Sequence, residues 1–260
     1  MARREFLHWL TGSAALGALS ACLPLTPELK VPQPNPKVRA ICFDLFTLFD
    51  PRSVVTVAKT IVPERAAALC EAWRLRQFEY SWLHVAANRY LDFRSVTEEA
   101  LLYAEHASSL SLSPEQRRTL IAAYSQLELW PDARQALLAW QQAGLRLAPL
   151  SNYTPEMLAE LLDHAGVSRS FEAQISTHRA RTFKPDPRAY ALGPAVLGLA
   201  REEIVFAAFG GWDAAGAKWF GFPTFWVNRL GLPGETLAPG PDASGPSLNE
   251  LDQFVRARSG

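Results

Sequence analysis

Apolar residues along this chain follow two different patterns. Between 54 and 127 they recur at helical spacing, and Arg74, Phe78 and Trp82 fall on one face of a helix predicted over 64–89. Elsewhere they form short continuous runs that are typical of strands buried on both faces. These runs cover residues 38–43, 145–150, 204–209 and 224–228, with a weaker one at 171–176. The sequence therefore predicts a strand, a helical segment and then further strands.

Helix boundaries are marked by capping residues and by proline and glycine. We predict capping boxes at Ser95-Val96-Thr97-Glu98 and at Ser113-Pro114-Glu115-Gln116. Further helices are predicted over 131–143, over 154–166, from Asp186-Pro187 with a kink or break at Gly193-Pro194, and over 213–220. The tail from Gly231 is rich in glycine and proline and is predicted to be a loop.

From residue 131 onward the predicted strands and helices alternate. This order predicts an α/β fold with a Rossmann-like parallel sheet core and helices on both faces. The helices of 54–127 interrupt the alternation after the first strand, so we interpret them as a cap inserted over the sheet. We therefore assign an α/β core domain to 38–53 and 128–260, and a helical cap to 54–127.

The N-terminal segment is predicted to lie outside the fold. Arg3-Arg4 precede an apolar stretch too short to span a bilayer, which indicates a twin-arginine signal peptide over 1–22. The end of this segment resembles a lipoprotein cleavage site, with Cys22 as the lipidated residue. Five prolines make 23–37 a semi-rigid tether. We expect an exported lipoprotein anchored on the periplasmic side of a membrane; the alternative is a frayed N-terminal helix.

Charge and cysteine content narrow the range of partners. The 26 basic side chains are balanced by 26 acidic ones, so no positive field is available to hold nucleic acid by its phosphates. A small molecule is the expected ligand. Three cysteines do not make a disulfide framework, and Cys42 and Cys70 are predicted to be buried apolar side chains.

Polar side chains follow the predicted strands at four places. Asp44 follows the first strand and Ser151-Asn152 the second, while Lys184 lies in a strand-to-helix loop and Asp213 follows the run 204–209. In open α/β sheets, ligands bind beyond the carboxyl ends of the strands. Any one of these residues alone is more often a turn, a helix cap or a solvated side chain. Four of them in this order indicate a single site.

These segments resemble the motifs of the haloacid dehalogenase superfamily. They are 43–50 around Asp44, Leu150-Ser151-Asn152, Phe183-Lys184-Pro185-Asp186 and 212–217 around Asp213. The stretches 73–83, 88–90 and 220–224 resemble the type II L-2-haloacid dehalogenases in particular. The resemblance implies a hydrolase that displaces halide from a small 2-haloalkanoic acid, with no metal or organic cofactor. It also implies a homodimer formed through the cap.

The resemblance assigns roles to individual residues. Asp44 is the nucleophile that forms an aspartyl ester, Lys184 is its counter-charge, and Arg74 on the cap stabilises the departing halide. Asp213 helps to position or activate the water that hydrolyses the ester. The residues assigned to substrate binding are Thr47, Ser151, Asn152 and Tyr190, with an aromatic wall of Phe46, Phe78, Phe93 and Trp212. For each aromatic residue the alternative is plain core packing.

The chain departs from the family pattern at two places. Only two residues separate Asp44 from Thr47, one fewer than usual, which changes the turn that carries the threonine. Ala208 and Gly210 stand where dehalogenases usually carry a serine and an asparagine, so two polar groups that steady the nucleophile and the water are missing. Losing such hydrogen-bond donors lowers rates by factors of about 100 to 1,000. A less efficient site is therefore expected.

Two other functions compete with dehalogenation. A phosphatase of the same superfamily would need carboxylates at the positions of Phe46 and Phe209, for a general acid and for Mg²⁺. A catalytically impaired binding protein at the membrane surface is the second alternative. The departures at Thr47, Ala208 and Gly210 favour it, whereas retention of the charged groups opposes it, because unpaired buried charges are costly.

Overall fold

The structure is a computed structural model that describes residues 37–259. Eight strands lie in this part of the chain: β1 (Ala40–Phe43), β2 (Phe49–Asp50), β3 (Glu128–Leu129), β4 (Arg146–Ser151), β5 (Ile175–Ser176), β6 (Ile204–Ala208), β7 (Thr224–Val227) and β8 (Ala243–Gly245). The weak run at 171–176 is thus a strand only over its last two residues.

The same residues form eleven α-helices. They are α1 (Leu45–Leu48), α2 (Ser53–Ile61), α3 (Ala66–Ala86), α4 (Phe93–Ala107), α5 (Pro114–Ala122), α6 (Ala133–Gln142), α7 (Pro155–His164), α8 (Pro187–Tyr190), α9 (Leu192–Leu197), α10 (Gly211–Phe220) and α11 (Leu248–Ser259).

Six of the strands form a parallel sheet in the order β5-β4-β1-β6-β7-β8. The first strand therefore lies at the centre, between β4 and β6. Because parallel strands end at the same edge of a sheet, the residues that follow β1, β4 and β6 are brought together there. The predicted parallel α/β sheet is confirmed.

Alternate side chains of β1 enter two separate apolar cores. Ile41 and Phe43 pack in the core that includes α6, α7 and α11, whereas Cys42 packs in the core that includes α9 and α10. This arrangement explains why the strands are continuously apolar, since both faces of the sheet are covered by helices. Burial raises the pKa of the Cys42 thiol to about 12 and that of Cys70 to about 11, so both are neutral buried side chains, as predicted.

The helical insertion lies between β2 and β3, which pair with each other in antiparallel fashion. Its two longest helices, α3 and α4, pack against each other, and Trp73 on α3 is fully buried and donates its indole N–H to the carbonyl of Thr97 on α4 at 2.8 Å. The predicted helical cap after the first strand is confirmed.

One of the two predicted capping boxes is wrong. Helix α4 begins at Phe93, and its N-cap is Asp92, whose carboxylate accepts hydrogen bonds from the Ser95 backbone N–H at 3.0 Å and from its hydroxyl at 2.9 Å. An aspartate is an equally good cap and lies three residues earlier, so Ser95 sits inside the first turn. The box opened by Ser113 is confirmed, with both of its reciprocal hydrogen bonds present.

Two other predictions need correction. The helix that starts after Asp186 breaks at Ala191, not at Gly193-Pro194, because Pro194 has no N–H to donate to the carbonyl four residues earlier. The tail is not a simple loop. It adds β8 to the sheet and then α11, which buries Leu251 and Val255 against the core, a spacing that fits one helical face.

The predicted signal peptide, the lipidation at Cys22 and nearly all of the proline-rich tether lie outside the described residues. Within residues 37–259, no helix combines the length and apolar character needed to cross a bilayer.

Candidate active site

Asp44 occupies the carboxyl end of the central strand and is also the N-cap of α1. Its Oδ1 accepts a hydrogen bond from the Phe46 N–H at 2.8 Å, and its own N–H donates to the Ala207 carbonyl at 2.9 Å. These contacts fix the carboxylate at the sheet edge. Its Oδ2 accepts from Lys184, and 15% of the side chain remains exposed.

Lys184 forms ion pairs with both predicted acidic residues, Asp44 and Asp213. Its Nζ lies 2.6 Å from Asp44 Oδ2 and 2.7 Å from Asp213 Oδ2, and its side chain is 1% exposed. Both of its backbone groups are also held: its N–H donates to Asn152 Oδ1 at 3.0 Å, and its carbonyl accepts from the Trp82 indole at 3.1 Å. The cap and the strand β4 thus position the same lysine.

Asp213 lies on the first turn of α10 and is completely buried. Tyr190 donates its hydroxyl to Asp213 Oδ1 at 2.7 Å, while Lys184 holds Oδ2. This contact depends on Gly216, because a Cβ there would lie 2.6 Å from the tyrosine oxygen. Both oxygens of the carboxylate are therefore occupied by protein donors.

The charges of this cluster shift one another's proton affinity. Burial lowers the pKa of Lys184, but its ion pairs with Asp213 and Asp44 outweigh burial and hold the pKa above its usual value. Burial raises the pKa of Asp213; Lys184 opposes this effect, Asp44 adds to it, and the pKa reaches about 7. The ammonium is therefore a permanent charge, whereas Asp213 changes its charge near neutral pH.

A cavity of about 30 Å³ lies above Asp44 and has a largely aromatic wall. It is lined by Asp44, Leu45, Phe46, Arg74, Gln77, Phe78, Phe93, Ser151, Asn152, Tyr153, Phe209, Gly210 and Trp212. The four predicted aromatic wall residues are all among them. The volume is room for about two water molecules, which favours small ligands.

Arg74 brings a positive charge from α3 to the cavity. Its guanidinium carbon lies 5.5 Å from the centre of the Phe46 ring, 5.6 Å from that of Phe78 and 5.7 Å from that of Phe209. Among residues 37–259 no carboxylate pairs with it, and no hydrogen bond engages it. A cation held by aromatic faces in this way is available to an anionic ligand.

Ser151, the last residue of β4, and Asn152, which follows it, also line the cavity. The hydroxyl oxygen of Ser151 accepts from the Tyr153 N–H at 3.1 Å, and Asn152 Oδ1 accepts from Lys184 and from the Thr177 hydroxyl. Because its oxygen accepts these bonds, the amide of Asn152 is fixed in orientation and its NH₂ group remains to donate.

Four predicted site residues do not line the cavity, and one of them is Lys184, which pairs with Asp44. Thr47 is buried, does not line the cavity and donates its hydroxyl to the Asp44 carbonyl at 2.7 Å, as the shortened turn requires. Tyr190 is buried behind Asp213 and contacts the acid, not the cavity. Asp213 itself does not line the cavity either, so a water above Asp44 would be influenced by it through Lys184.

Five cavity residues are not predicted from the sequence, and one of them, Leu45, directly follows Asp44. Gln77 lies one helical turn after Arg74 on the same face of α3, and Tyr153 directly follows the Ser151-Asn152 pair, so spacing alone could have indicated both. Phe209 and Gly210 follow β6; in the sequence, Phe209 argues only against a phosphatase and Gly210 is only a departure from the family pattern. Nothing in their residue types signalled a place on the cavity wall.

Comparison with known proteins gives consistent results. Residues 38–221 match the family described as haloacid dehalogenase-like hydrolase. The chain is similar to the (S)-2-haloacid dehalogenase of Pseudomonas sp. strain YL, with 37% identity covering 86% of this chain and 97% of that protein. It is also similar to haloacetate dehalogenase H-2 of Moraxella sp. strain B, with 36% identity covering 84% and 98%.

Among solved structures, the chain is similar to the L-2-haloacid dehalogenase from Xanthobacter autotrophicus with chloropropionic acid covalently bound. The TM-score is 0.79 and the identity 37%, over 84% of this chain and 98% of that one. These similarities establish the family. The chain belongs to the haloacid dehalogenase-like hydrolases, in the branch of the L-2-haloacid dehalogenases.

Proposed function

We propose that this protein hydrolyses small 2-haloalkanoic acids, releasing halide through an ester formed on Asp44 and without a metal ion. The observation that carries the proposal is the position of Asp44. It is the sole acidic side chain on the wall of the described cavity, it is paired with Lys184, and it shares that cavity with the guanidinium of Arg74, which pairs with no carboxylate among residues 37–259.

The first step is a displacement at carbon. Asp44 Oδ attacks the carbon that bears the halogen, a C–O bond forms, the carbon–halogen bond breaks, and the halide departs with the bonding electrons. The negative charge thus moves from the carboxylate to the halide. Arg74 stabilises the charge that develops there, and the Ser151-Asn152 turn provides donors for the carboxylate of the substrate.

The second step is hydrolysis of the ester. Water attacks the carboxyl carbon of Asp44, the C–O bond from that carbon to the substrate oxygen breaks, and a 2-hydroxy acid and one proton are released as the carboxylate is restored. Lys184 is placed to stabilise the oxyanion that forms during this attack, since its Nζ already contacts Asp44 Oδ2 at 2.6 Å. The buried carboxylate of Asp213 forms a second ion pair with this ammonium and helps to hold it in place.

The residues around Asp44 support metal independence. An ammonium already lies between the two carboxylates, and Phe46 and Phe209, the positions where a phosphatase would need acids, present rings whose centres are 5.9 Å apart. Among the residues that the structure describes, no group of three or more His, Cys, Asp or Glu side chains is arranged to hold an ion. Hard cations need oxygen ligands that this wall does not offer.

Halide release from 2-chloropropionate tests both parts of this proposal. We expect the purified chain to release chloride in step with 2-hydroxy acid, at the same rate after treatment with a chelator and with or without added Mg²⁺. Release that is lost on chelation and restored by a divalent ion would contradict metal independence. No release from chloro-, bromo- or fluoro-substituted acids would contradict dehalogenation and support the binding-protein alternative.

Activity should depend on pH through Asp213. Because its pKa is raised to about 7, the ionised form is present only above that pH. Below this pH, the protonated carboxyl of Asp213 no longer attracts the Lys184 ammonium as an anion does. The ammonium then interacts mainly with Asp44 and makes its carboxylate a weaker nucleophile. We therefore expect kcat/KM to rise with pH along a limb centred near 7. Asp213→Asn should remove this limb from any residual activity; a limb near 4 in both proteins would show that Asp213 does not control it.

Export, lipidation at Cys22 and dimer formation stay predictions. For the homodimer, support comes from exposed apolar side chains on the cap: Leu83 is 60% exposed and Leu102 42%.

A further inference from the structure

Helix α1 directly follows Asp44 and contains only four residues, Leu45–Leu48. The last four carbonyls of an α-helix have no partner within the helix, so every carbonyl of α1 needs a donor from outside it. The carbonyl of Leu45 accepts from the backbone N–H of Phe49, the residue after the helix. The next three carbonyls accept from residues that are far away in the sequence; they belong to Phe46, Thr47 and Leu48.

The donors to these three carbonyls are Trp130 and Arg229. Trp130, which follows β3, donates its indole N–H to the Phe46 carbonyl at 3.0 Å and its backbone N–H to the Leu48 carbonyl at 2.9 Å. Arg229, which follows β7, donates from a terminal guanidinium nitrogen to the Thr47 carbonyl at 2.9 Å. Trp130 lies 84 positions after Phe46, and Arg229 lies 182 positions after Thr47. The short helix is therefore held by tertiary contacts.

The two donors are themselves fixed. Asp132 accepts from both terminal nitrogens of Arg229 at 2.8 Å, and the arginine side chain is 6% exposed. Asp132 Oδ2 also accepts from the Leu248 N–H at 3.0 Å. The Trp130 ring contacts two guanidinium groups, with the carbon of Arg52 4.9 Å and that of Arg229 5.0 Å from its centre. We refer to Trp130, Arg229 and Asp132 as the clamp on α1.

We propose that this clamp positions the Asp44 carboxylate for its attack on carbon. The role rests on the dehalogenation proposed above. Phe46 makes the connection, because its N–H donates to Asp44 Oδ1 at 2.8 Å while its carbonyl accepts from Trp130. Its ring also lines the cavity. A shift of this one residue therefore moves both the nucleophile and the wall that faces the substrate.

The nucleophile of this chain depends strongly on the turn that follows it. Among residues 37–259, two groups donate hydrogen bonds to the Asp44 carboxylate, and they are the Phe46 N–H and Lys184 Nζ. The turn is also one residue shorter than the family pattern, since only Leu45 and Phe46 separate Asp44 from Thr47. Attack on carbon needs the oxygen to be aligned with the breaking bond. The clamp thus fixes one of the two contacts that set this alignment.

Trp130→Phe tests the clamp, because it keeps a ring beside the arginines and removes the N–H that holds Phe46. We measure halide release from 2-chloropropionate in a single turnover at saturating protein, where the rate constant does not depend on the fraction of protein that is folded. We expect this constant to fall about ten- to a hundredfold, as for a misplaced reacting group. KM should be unchanged, because the clamp does not contact the Ser151-Asn152 turn.

Arg229→Met is the second variant, and the double variant with Trp130→Phe shows whether the two residues act together. Both hold the same turn, so the fall in the rate constant of the double variant should be smaller than the product of the two single effects. Effects that multiply would show that Trp130 and Arg229 act independently, and would overturn the clamp. Thermal unfolding curves report the stability that each variant loses.

The matched control is Trp219→Phe, which removes an indole N–H that donates to the Ala238 carbonyl outside the cavity. It should leave the single-turnover rate constant unchanged. A wild-type rate constant in Trp130→Phe, with only a lower unfolding temperature, would show that the clamp supports the fold alone and would overturn the positioning role. A wild-type protein without halide release would instead contradict the proposed function, and this role with it.

Discussion

Replacing Asp44 with asparagine should lower halide release by at least about a thousandfold, because a neutral amide is not a competent nucleophile at carbon. The fold should survive this change. Asparagine is as good an N-cap as aspartate, so the hydrogen bond from the Phe46 N–H at 2.8 Å can be kept. Halide release measured over time, with a thermal unfolding curve, separates lost chemistry from lost structure.

Asp44→Ala is the companion variant, since an alanine cannot deamidate back to aspartate during an assay. It should be equally inactive, at a cost of about 0.5–2 kcal/mol in stability from the lost cap. Asp50→Asn is the matched control, because Asp50 lies on β2 in an exposed pair with Arg52. Full activity in Asp44→Ala would end the assignment of Asp44 as the nucleophile.

Replacing Lys184 with methionine should abolish activity and also destabilise the protein. The side chain is 1% exposed, and its removal leaves Asp44 and the fully buried Asp213 facing each other without a cation. Removing one partner of a buried ion pair costs about 3–5 kcal/mol. We expect a loss of this size in the free energy of unfolding at pH 8, measured with urea. The deficit should shrink as the pH falls, because Asp213, whose folded-state pKa is raised, then binds its proton.

A surface lysine provides the comparison. Lys218 pairs with Asp242 at 2.6 Å, but both side chains are about a quarter exposed. Lys218→Met should cost less than about 1 kcal/mol, as surface ion pairs do, and should leave halide release unchanged. If Lys184→Met were equally mild, the buried lysine would not be the group that holds the two carboxylates together.

Much of the site could be predicted from sequence because its charged residues sit at the ends of strands. Asp44 and Lys184 are 140 positions apart, yet the parallel order of the sheet brings them within 2.6 Å. The sequence does not indicate which of these side chains line the cavity. Asp213 and Tyr190 were expected there, but the ammonium and the helix packing of Gly216 turn them toward each other instead.

The wrong predictions about the cap of α4 and about the tail have local causes. Asp92 and Ser95 are both good helix caps, and their residue types alone do not decide which of them is used. In the tail, the glycine and proline content predicts a loop, although Leu251 and Val255 have the spacing of one helical face. Burial of these two side chains against the core stabilises a helix there. In the sequence, Gly210 is visible only as a lost polar group. That a Cβ there would lie 2.7 Å from Trp212 Nε1 depends on how the indole packs, which residue type does not indicate.

The most direct test of covalent catalysis by Asp44 is a single turnover in ¹⁸O-labelled water, followed by mass spectrometry of the peptide that contains this residue. Attack of water on the ester carbon puts the label into the Asp44 carboxylate, and the released 2-hydroxy acid carries an unlabelled oxygen from the protein. We expect this distribution with 2-chloropropionate. Label in the hydroxy acid and none in Asp44 would mean that water attacks the substrate directly, and would contradict the mechanism.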